Sequence, residues 1–205
     1  MQVESGDVVV VKGKTVVPEE KKVYLAFNKP RGIVCTAEKR EKNNVIDYLS
    51  YPVRIYPVGR LDKDSEGLLL MTNDGAIVNG IMRARNRHEK EYQVEVNKEI
   101  TPEFLKKMAS GVPILDTVTR PCRIRKTGER SFTIILTQGL NRQIRRMCEA
   151  LGYRVTKLKR VRIMNVHLKD LKTGEYRPLT EKELAELKKQ IGEEKRWLSL
   201  IHISE

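Results

Sequence analysis

The chain has 205 residues with 40 Lys+Arg against 27 Asp+Glu, a formal net charge of +13 at pH 7. A 40% hydrophobic content excludes a disordered chain, and no apolar run nears the roughly 18 residues that span a membrane. The charge surplus points to a polyanionic partner. Met1-Gln-Val-Glu-Ser5 reads as no secretory signal, and three scattered cysteines (Cys35, Cys122, Cys148) suit a reducing cytoplasm rather than a disulfide framework or zinc site.

In chain order, residues 7–11 predict a short strand before a Lys12-Gly13-Lys14 turn, and 18–22 a polar linker. Tyr24–Asn28 alternates as a strand and stops at the turn Lys29-Pro30-Arg31-Gly32. Val45–Ser50 predicts a short helix, and the continuous apolar run Leu68–Met71 a buried strand. Asp74 caps a helix expected to reach about Arg85, with Ile77, Ile81 and Met82 on one face. Tyr92, Val94 and Val96 alternate as a strand, Thr101-Pro102 opens a helix, and Gly111 closes it. Strands are expected near 118–125 and 131–136. Asn141 is expected to cap a helix that runs to Leu151 and stops at Gly152, before the extended, basic stretch Tyr153–Met164. Thr180-Glu-Lys-Glu183 is a capping box for a last helix ending near Gln190. The tail from Trp197 reads as an exposed end. No internal repeat or low-complexity tract is present. The irregular mixture of strands and helices, without a βαβ rhythm, predicts an α+β fold with a largely antiparallel sheet.

The densest chemistry lies in Gly59-Arg-Leu-Asp-Lys-Asp-Ser-Glu-Gly67. It places three carboxylates, Asp62, Asp64 and Glu66, just before the buried strand. Clustered acids there must be solvated, paired or used. A calcium loop is disfavoured, because its closing bidentate position would be Asn73 and no helix precedes it. An aspartyl-phosphate nucleophile is disfavoured because Gly59-Arg60 interrupts the required apolar strand. A single Asp acting on a nucleic-acid base needs a cation and a stacking aromatic, and both occur elsewhere in the chain.

The cation can come from Gly139-Leu-Asn-Arg-Gln-Ile-Arg-Arg-Met-Cys148. Ile144, Met147, Cys148 and Leu151 form one apolar helical stripe, and Arg142, Arg145 and Arg146 fall off it. Cations at a helix start are disfavoured by about 0.3–1 kcal/mol each, so an anion is expected there, either RNA phosphate or Asp62. Residues 139–162 hold eight Lys/Arg and one acid, which reads as a groove along a phosphate backbone. A second basic cluster, Arg83 to Lys90, leads into Tyr92, a residue of the core or a stacking face. His88 lacks a partner at metal-binding spacing.

Three of these segments together, Gly59-Arg-Leu-Asp62-Lys-Asp-Ser-Glu-Gly-Leu-Leu69, His88-Glu-Lys-Glu-Tyr92 and Gly139-Leu-Asn-Arg-Gln-Ile-Arg-Arg-Met-Cys148, resemble the motif set of ribosomal RNA pseudouridine synthases. Gly111–Thr119 and Arg162-Ile-Met-Asn-Val166 resemble the branch that modifies large-subunit ribosomal RNA. The resemblance covers about Val23 to Gln190. It implies that family's catalytic fold, with a central RNA-binding cleft, and isomerisation of a uridine to pseudouridine without a cofactor or metal. It implies Asp62 as the catalytic carboxylate, Tyr92 as the stacking residue, Arg145 as the cation paired with Asp62 (Arg146 second), and Leu158 packed against the base. Arg60, Leu61, Arg87, Lys90, Asn141, Arg142, Gln143, Arg146, Leu158 and Arg160 form the expected RNA-contacting set. Residues 1–18 are read as the remnant of an S4-type RNA-binding domain (its last strand and turn near Gly6–Val17), 19–190 as the catalytic domain, and 191–205 as a tail. The implied partner is ribosomal RNA, with transfer RNA left open, for a cytoplasmic monomer. The competing reading is a non-catalytic RNA-binding or ribosome-assembly module on the same fold. A nonspecific single-strand binder is poorly supported by three Phe, one Trp and seven Tyr.

Overall fold

The computed structural model describes residues 9–11, 14–16 and 21–203, with side chains described from 21 to 192. A small antiparallel pair, β1 (Val9–Val11) and β2 (Lys14–Val16), comes first. The strand agrees with the one expected over 7–11, while the expected turn at 12–13 and the rest of 1–18 lie outside the described residues.

The main body runs β3 (Tyr24–Lys29), α1 (Val45–Leu49), β4 (Tyr56–Pro57), β5 (Glu66–Thr72), α2 (Gly75–Arg83), β6 (Lys90–Val96) and α3 (Pro102–Ser110). It continues β7 (Pro113–Ile114), β8 (Thr117–Val118), β9 (Arg123–Gly128), β10 (Ser131–Leu136), α4 (Gln143–Ala150), β11 (Val155–Ile163), β12 (Val166–His167), β13 (Tyr176–Pro178) and α5 (Glu181–Ile203). Nine strands form one sheet in the order β13-β3-β5-β11-β6-β10-β9, with β4 on β5 and β12 on β11. Its pairs are antiparallel except β5 with β11. The expected α+β class with a mixed, mainly antiparallel sheet is therefore the observed one.

Side-chain periodicity explains how the sheet is covered. Leu68 and Leu70 of β5 pack towards α2 and α5, while Leu69 and Met71 pack towards α1. A strand covered on both faces needs the continuous apolar run that β5 has. In β6 and β10 every second residue is buried, Val94, Val96, Phe132, Ile134 and Leu136 under α3 and α4. Their other face, with Gln93, Glu95, Ser131, Thr133 and Ile135, is more exposed and mostly polar, as period 2 allows.

At Gly67 the β5–β11 pair passes so closely that an added Cβ would lie 2.2 Å from the Arg160 carbonyl oxygen, and φ is +108°. Only glycine fits there without strain.

Several boundaries differ from expectation. The strand expected near 118–125 is β9 at 123–128, because Thr117–Val118 closes a hairpin on β7 and the chain then turns. In that turn Thr119 Oγ1 accepts from Val112 N–H and Cys122 N–H donates to the Ala109 carbonyl. The helix α2 ends at Arg83 rather than near Arg85. The last helix does not stop near Gln190 but continues to Ile203. Its expected capping box forms: Glu183 N–H donates to Thr180 Oγ1 (3.1 Å) and Thr180 N–H donates to Glu183 Oε1 (2.9 Å).

Candidate active site

The acid-rich loop is shaped by its backbone. Ser65 N–H donates to the Asp62 carbonyl at 3.0 Å, closing a turn that delivers the chain into β5. Gly32 N–H donates to the Lys63 carbonyl at 2.7 Å, and Leu61 N–H donates to Cys35 Sγ at 3.4 Å. The turn at 30–33 is itself held by Lys29, which has no solvent exposure. Its ammonium donates to the Pro30 and Ile33 carbonyls at 2.8 Å each. Burial lowers the Lys29 pKa, opposed by the nearby Cys35 and the carboxylates Asp64, Asp62 and Glu66. Sequence reasoning saw only a turn in Lys29-Pro30-Arg31-Gly32. A lysine ending a strand carries no periodic signal of being buried.

Opposite this loop stands the start of α4. Arg142, not Asn141, is its N-cap residue, left-handed at φ 49°, with no side-chain cap hydrogen bond. Asn141 cannot cap because Arg146 engages it, Nε to its carbonyl and Nη2 to Oδ1, both at 3.0 Å. The turn is closed instead by a reciprocal pair. Leu140 N–H donates to Gln143 Oε1, and Gln143 N–H donates to the Leu140 carbonyl, each at 3.1 Å. Gln143 Nε2 also donates to Gln138 Oε1 at 3.2 Å. Gln143 is thus buried framework as well as cavity wall.

Two arginines cross from α4 to the acidic loop. Arg142 donates through Nη1 and Nη2 to both oxygens of Asp64, at 3.0 and 2.8 Å, and its Nη1 lies 3.7 Å from Asp62 Oδ2. Arg145 donates through Nη2 to the Asp64 carbonyl (3.0 Å) and Ser65 Oγ (3.2 Å), with Nη1 3.6 Å from Asp64 Oδ2. The pairing of Asp62 with Arg145 expected from sequence is therefore corrected: Arg142 makes the ion pair, and Arg145 braces the neighbouring loop. Arg145 was also expected off the buried stripe, yet it is 8% exposed because residues 64–65 cover it. Hydrogen bonds from Arg142 hold Asp64 down to about 2, and the same bonds raise Arg142. Burial lowers Arg145.

Between the loop and α4 lies a cavity of about 470 Å³, walled also by β11 and the start of β6, with Ile81 and Met82 of α2 in its lining. That size is typical of a small-ligand site. Asp62 sits at its edge, with Arg60 and Leu61 beside it. Tyr92, partly buried against the core, and Leu158 line it from adjacent strands. Lys90 enters from the end of β6, its ammonium bonded to the Arg85 carbonyl. Burial, then Arg160 and Arg85, lower Lys90 to about 8. Asn141, Arg142 and Gln143 complete the α4 wall.

Other expected residues fall elsewhere. Arg160 borders the cavity but is 7% exposed. Its Nε donates to the Leu68 carbonyl at 2.8 Å, and Nη1 to that of Arg60 at 3.4 Å, so it ties β11 to β5. Arg87 is exposed in the turn after α2, away from the cavity lining. Arg146, held on Asn141, is also outside the lining. The basic run 139–162 is not one groove: Leu158 and Arg160 face the cavity, while Lys159 and Lys157 border hollows on the other side of the sheet with Gln93. The alternation of β11 divides them. Gln138 on the cavity wall carried no signal in the sequence, while Arg85 and His88, which also line it, stood in the basic cluster before Tyr92 but outside the expected RNA-contacting set. Among the described residues, no group of three His, Cys, Asp or Glu side chains converges as a metal site.

The arrangement places a carboxylate with a flanking guanidinium and an aromatic ring in the lining of one cavity, with further positive charge from Arg60, Arg85 and Lys90. The sequence pattern of the RNA pseudouridylate synthase family matches residues 23–150. A dual-specificity RNA pseudouridine synthase of Salmonella typhi, RluF, is 55% identical over 93% of this chain. This chain spans 66% of that relative's length, just under two thirds. The ribosomal large subunit pseudouridine synthase B of Bacillus subtilis is 35% identical over 92% of this chain and 80% of its own. A crystal structure of a pseudouridylate synthase superposes with a TM-score of 0.76 at 29% identity, covering 91% of this chain and 83% of that one.

Proposed function

This chain belongs to the RNA pseudouridylate synthase family, and from that premise we propose that it isomerises a uridine of large-subunit ribosomal RNA to pseudouridine, with Asp62 as the catalytic carboxylate. The observation that carries the reading is the shared cavity: Asp62, Tyr92 and Leu158 line it together, and Arg142 reaches Asp62 at 3.7 Å. A bystander carboxylate on an RNA-binding module has no need of a cation on one side and an aromatic-lined pocket on the other.

The reaction breaks the N1–C1′ bond of uridine, turns the base, and joins C5 to C1′. The C5 proton is lost and N1 gains one, so no redox partner is required. The base must first leave its stack, which costs a few kcal/mol. Stacking on an aromatic side chain returns about 1–3 kcal/mol per base, and the position of Tyr92 in the cavity lining supports that role for it. Asp62 then acts by one of three routes: attack on C1′, addition to C6, or removal of the C2′ proton. In each the carboxylate is the reacting form, and Arg142 Nη1 stands 3.7 Å from it. Lys90 and Arg60 supply positive charge at the same cavity for the flanking phosphates.

We place the catalytic domain at 19–190 and read 1–18 as the end of an S4-type RNA-binding domain, in a cytoplasmic monomer. Large-subunit RNA is supported by the Bacillus subtilis relative's name. The Salmonella relative's name gives a dual specificity without naming the RNAs, and we propose transfer RNA as the second substrate to try.

The test is tritium release from unmodified transcripts labelled at uridine C5. Release from large-subunit RNA and not from small-subunit RNA is expected. Release from neither, with the RNA bound, would favour the non-catalytic module.

A further inference from the structure

Asp64 lies two residues beyond Asp62 in the same turn and has no task in the reaction described above. It nevertheless gathers both arginines that cross from α4. Arg142 meets it with two parallel hydrogen bonds of 2.8 and 3.0 Å, and Arg145 Nη1 stands 3.6 Å from the same Oδ2. Asp62 has one ion-pair contact to Arg142, at 3.7 Å, too long for a hydrogen bond. Fork-to-fork contact fixes the plane of a guanidinium as well as its position. Arg142 is also held in left-handed backbone at φ 49°, a conformation that persists only where its surroundings determine it. The Leu140–Gln143 bonds determine it from the backbone side, and Asp64 from the side-chain end.

We infer that Asp64 is a positioning residue for the isomerisation, which holds Arg142 at the cavity rim and balances Arg145, so that the Asp62 oxygens stay near a cation but unbonded to it. The inference rests on the functional reading above. Without the Asp64 carboxylate, the Arg142 guanidinium would face Asp62 alone, while Arg145 would keep only its bonds to the residue-64 carbonyl and Ser65 Oγ. Arg142 would be free to move onto Asp62 or into solvent. A carboxylate that accepts strong charge-assisted hydrogen bonds is a weaker base and nucleophile, and a displaced arginine no longer supports the reaction. The same change removes a negative charge from a surface that meets phosphate, so RNA affinity would not fall.

The test is the isosteric substitution Asp64→Asn, alone and with Arg142→Ala, in single-turnover isomerisation at saturating enzyme. The rate falls at least tenfold in Asp64→Asn, the RNA Kd stays equal or tightens, and the double variant is no slower than Arg142→Ala alone. A merely structural role would weaken binding with turnover and would multiply with the Arg142 loss. A rate within twofold of wild type, or multiplying losses, would overturn the inference while leaving the functional reading intact. Independently of turnover, Arg142 Nη protons should exchange slowly by nitrogen-15 NMR in the wild type and at least tenfold faster in Asp64→Asn. Equal exchange would overturn the holding role even in a protein that isomerises nothing.

Discussion

Arg142 and Arg145 are one helical turn apart and do different work. Arg142 is a cleft-edge side chain shared between Asp62 and Asp64, whereas Arg145 is buried and bonded to loop backbone. Arg142→Ala should lower turnover by about 100-fold, the scale of losing one electrostatic contact in a site, with little change in stability. Arg145→Ala should cost about 2 kcal/mol of stability by leaving the Asp64 carbonyl and Ser65 Oγ without this donor. Chemical denaturation and single-turnover rates on both variants check this, and equal effects in both assays would contradict the division. Lys90 gives a pH signature. Its pKa falls from 10.5 to about 8 on folding, so between those values the unfolded chain holds more protons and stability from this residue rises with pH. Below about 8 the buried charge is a cost. Lys90→Met should therefore gain stability over wild type at pH 7 and lose that advantage by pH 10 in urea titrations. At this scale the sequence showed Asp62 and Tyr92 as candidates, because chemistry and neighbours mark them. The resemblance named Arg145 as the partner of Asp62 where the structure has Arg142, since the choice depends on which loop covers which side of α4.

Elements covered on one face or two were legible from period, as β5 and β10 show. Helix starts with a side-chain cap, Asp74 and Thr101, were legible too, for Asp74 accepts from Ala76 N–H and Thr101 from Phe104 N–H. The α4 start was not, because a backbone turn and Gln143 replace the cap. The short strands β4 and β13 were invisible because two or three residues carry no period, and only pairing with β5 and β3 defines them. Gly67 illustrates a constraint that pattern alone does not reveal. Gly67→Ala should destabilise by about 2–4 kcal/mol, combining a positive φ with a clash against the Arg160 backbone. A stability within 0.5 kcal/mol of wild type by urea denaturation would refute the close approach. At α5, Glu183 serves as capping residue and as partner of Arg177, with bonds of 2.7 and 3.0 Å that hold its pKa at about 2. Its stabilisation is complete above the ordinary carboxylate value of 4.5 and is lost as pH falls towards 2. Glu183→Ala should cost about 3 kcal/mol at pH 7 and progressively less in acid, read from denaturation midpoints at pH 7 and pH 3.

The whole molecule joins a sheet buried on both faces at β5 to a half that is open behind β6, β10 and β9, and the cleft lies at the junction. The net charge of +13 was legible at once, but its distribution was not, since β11 sends its lysines and its cavity residues to opposite faces. The central claim is that this cleft isomerises uridine through Asp62. The most direct measurement is the pseudouridine content of large-subunit RNA, digested to nucleosides after incubation with wild type or Asp62→Asn, with RNA binding measured in parallel. The account predicts pseudouridine with wild type, none with Asp62→Asn, and RNA affinities within a few-fold of each other. Pseudouridine formed equally by both proteins would contradict it.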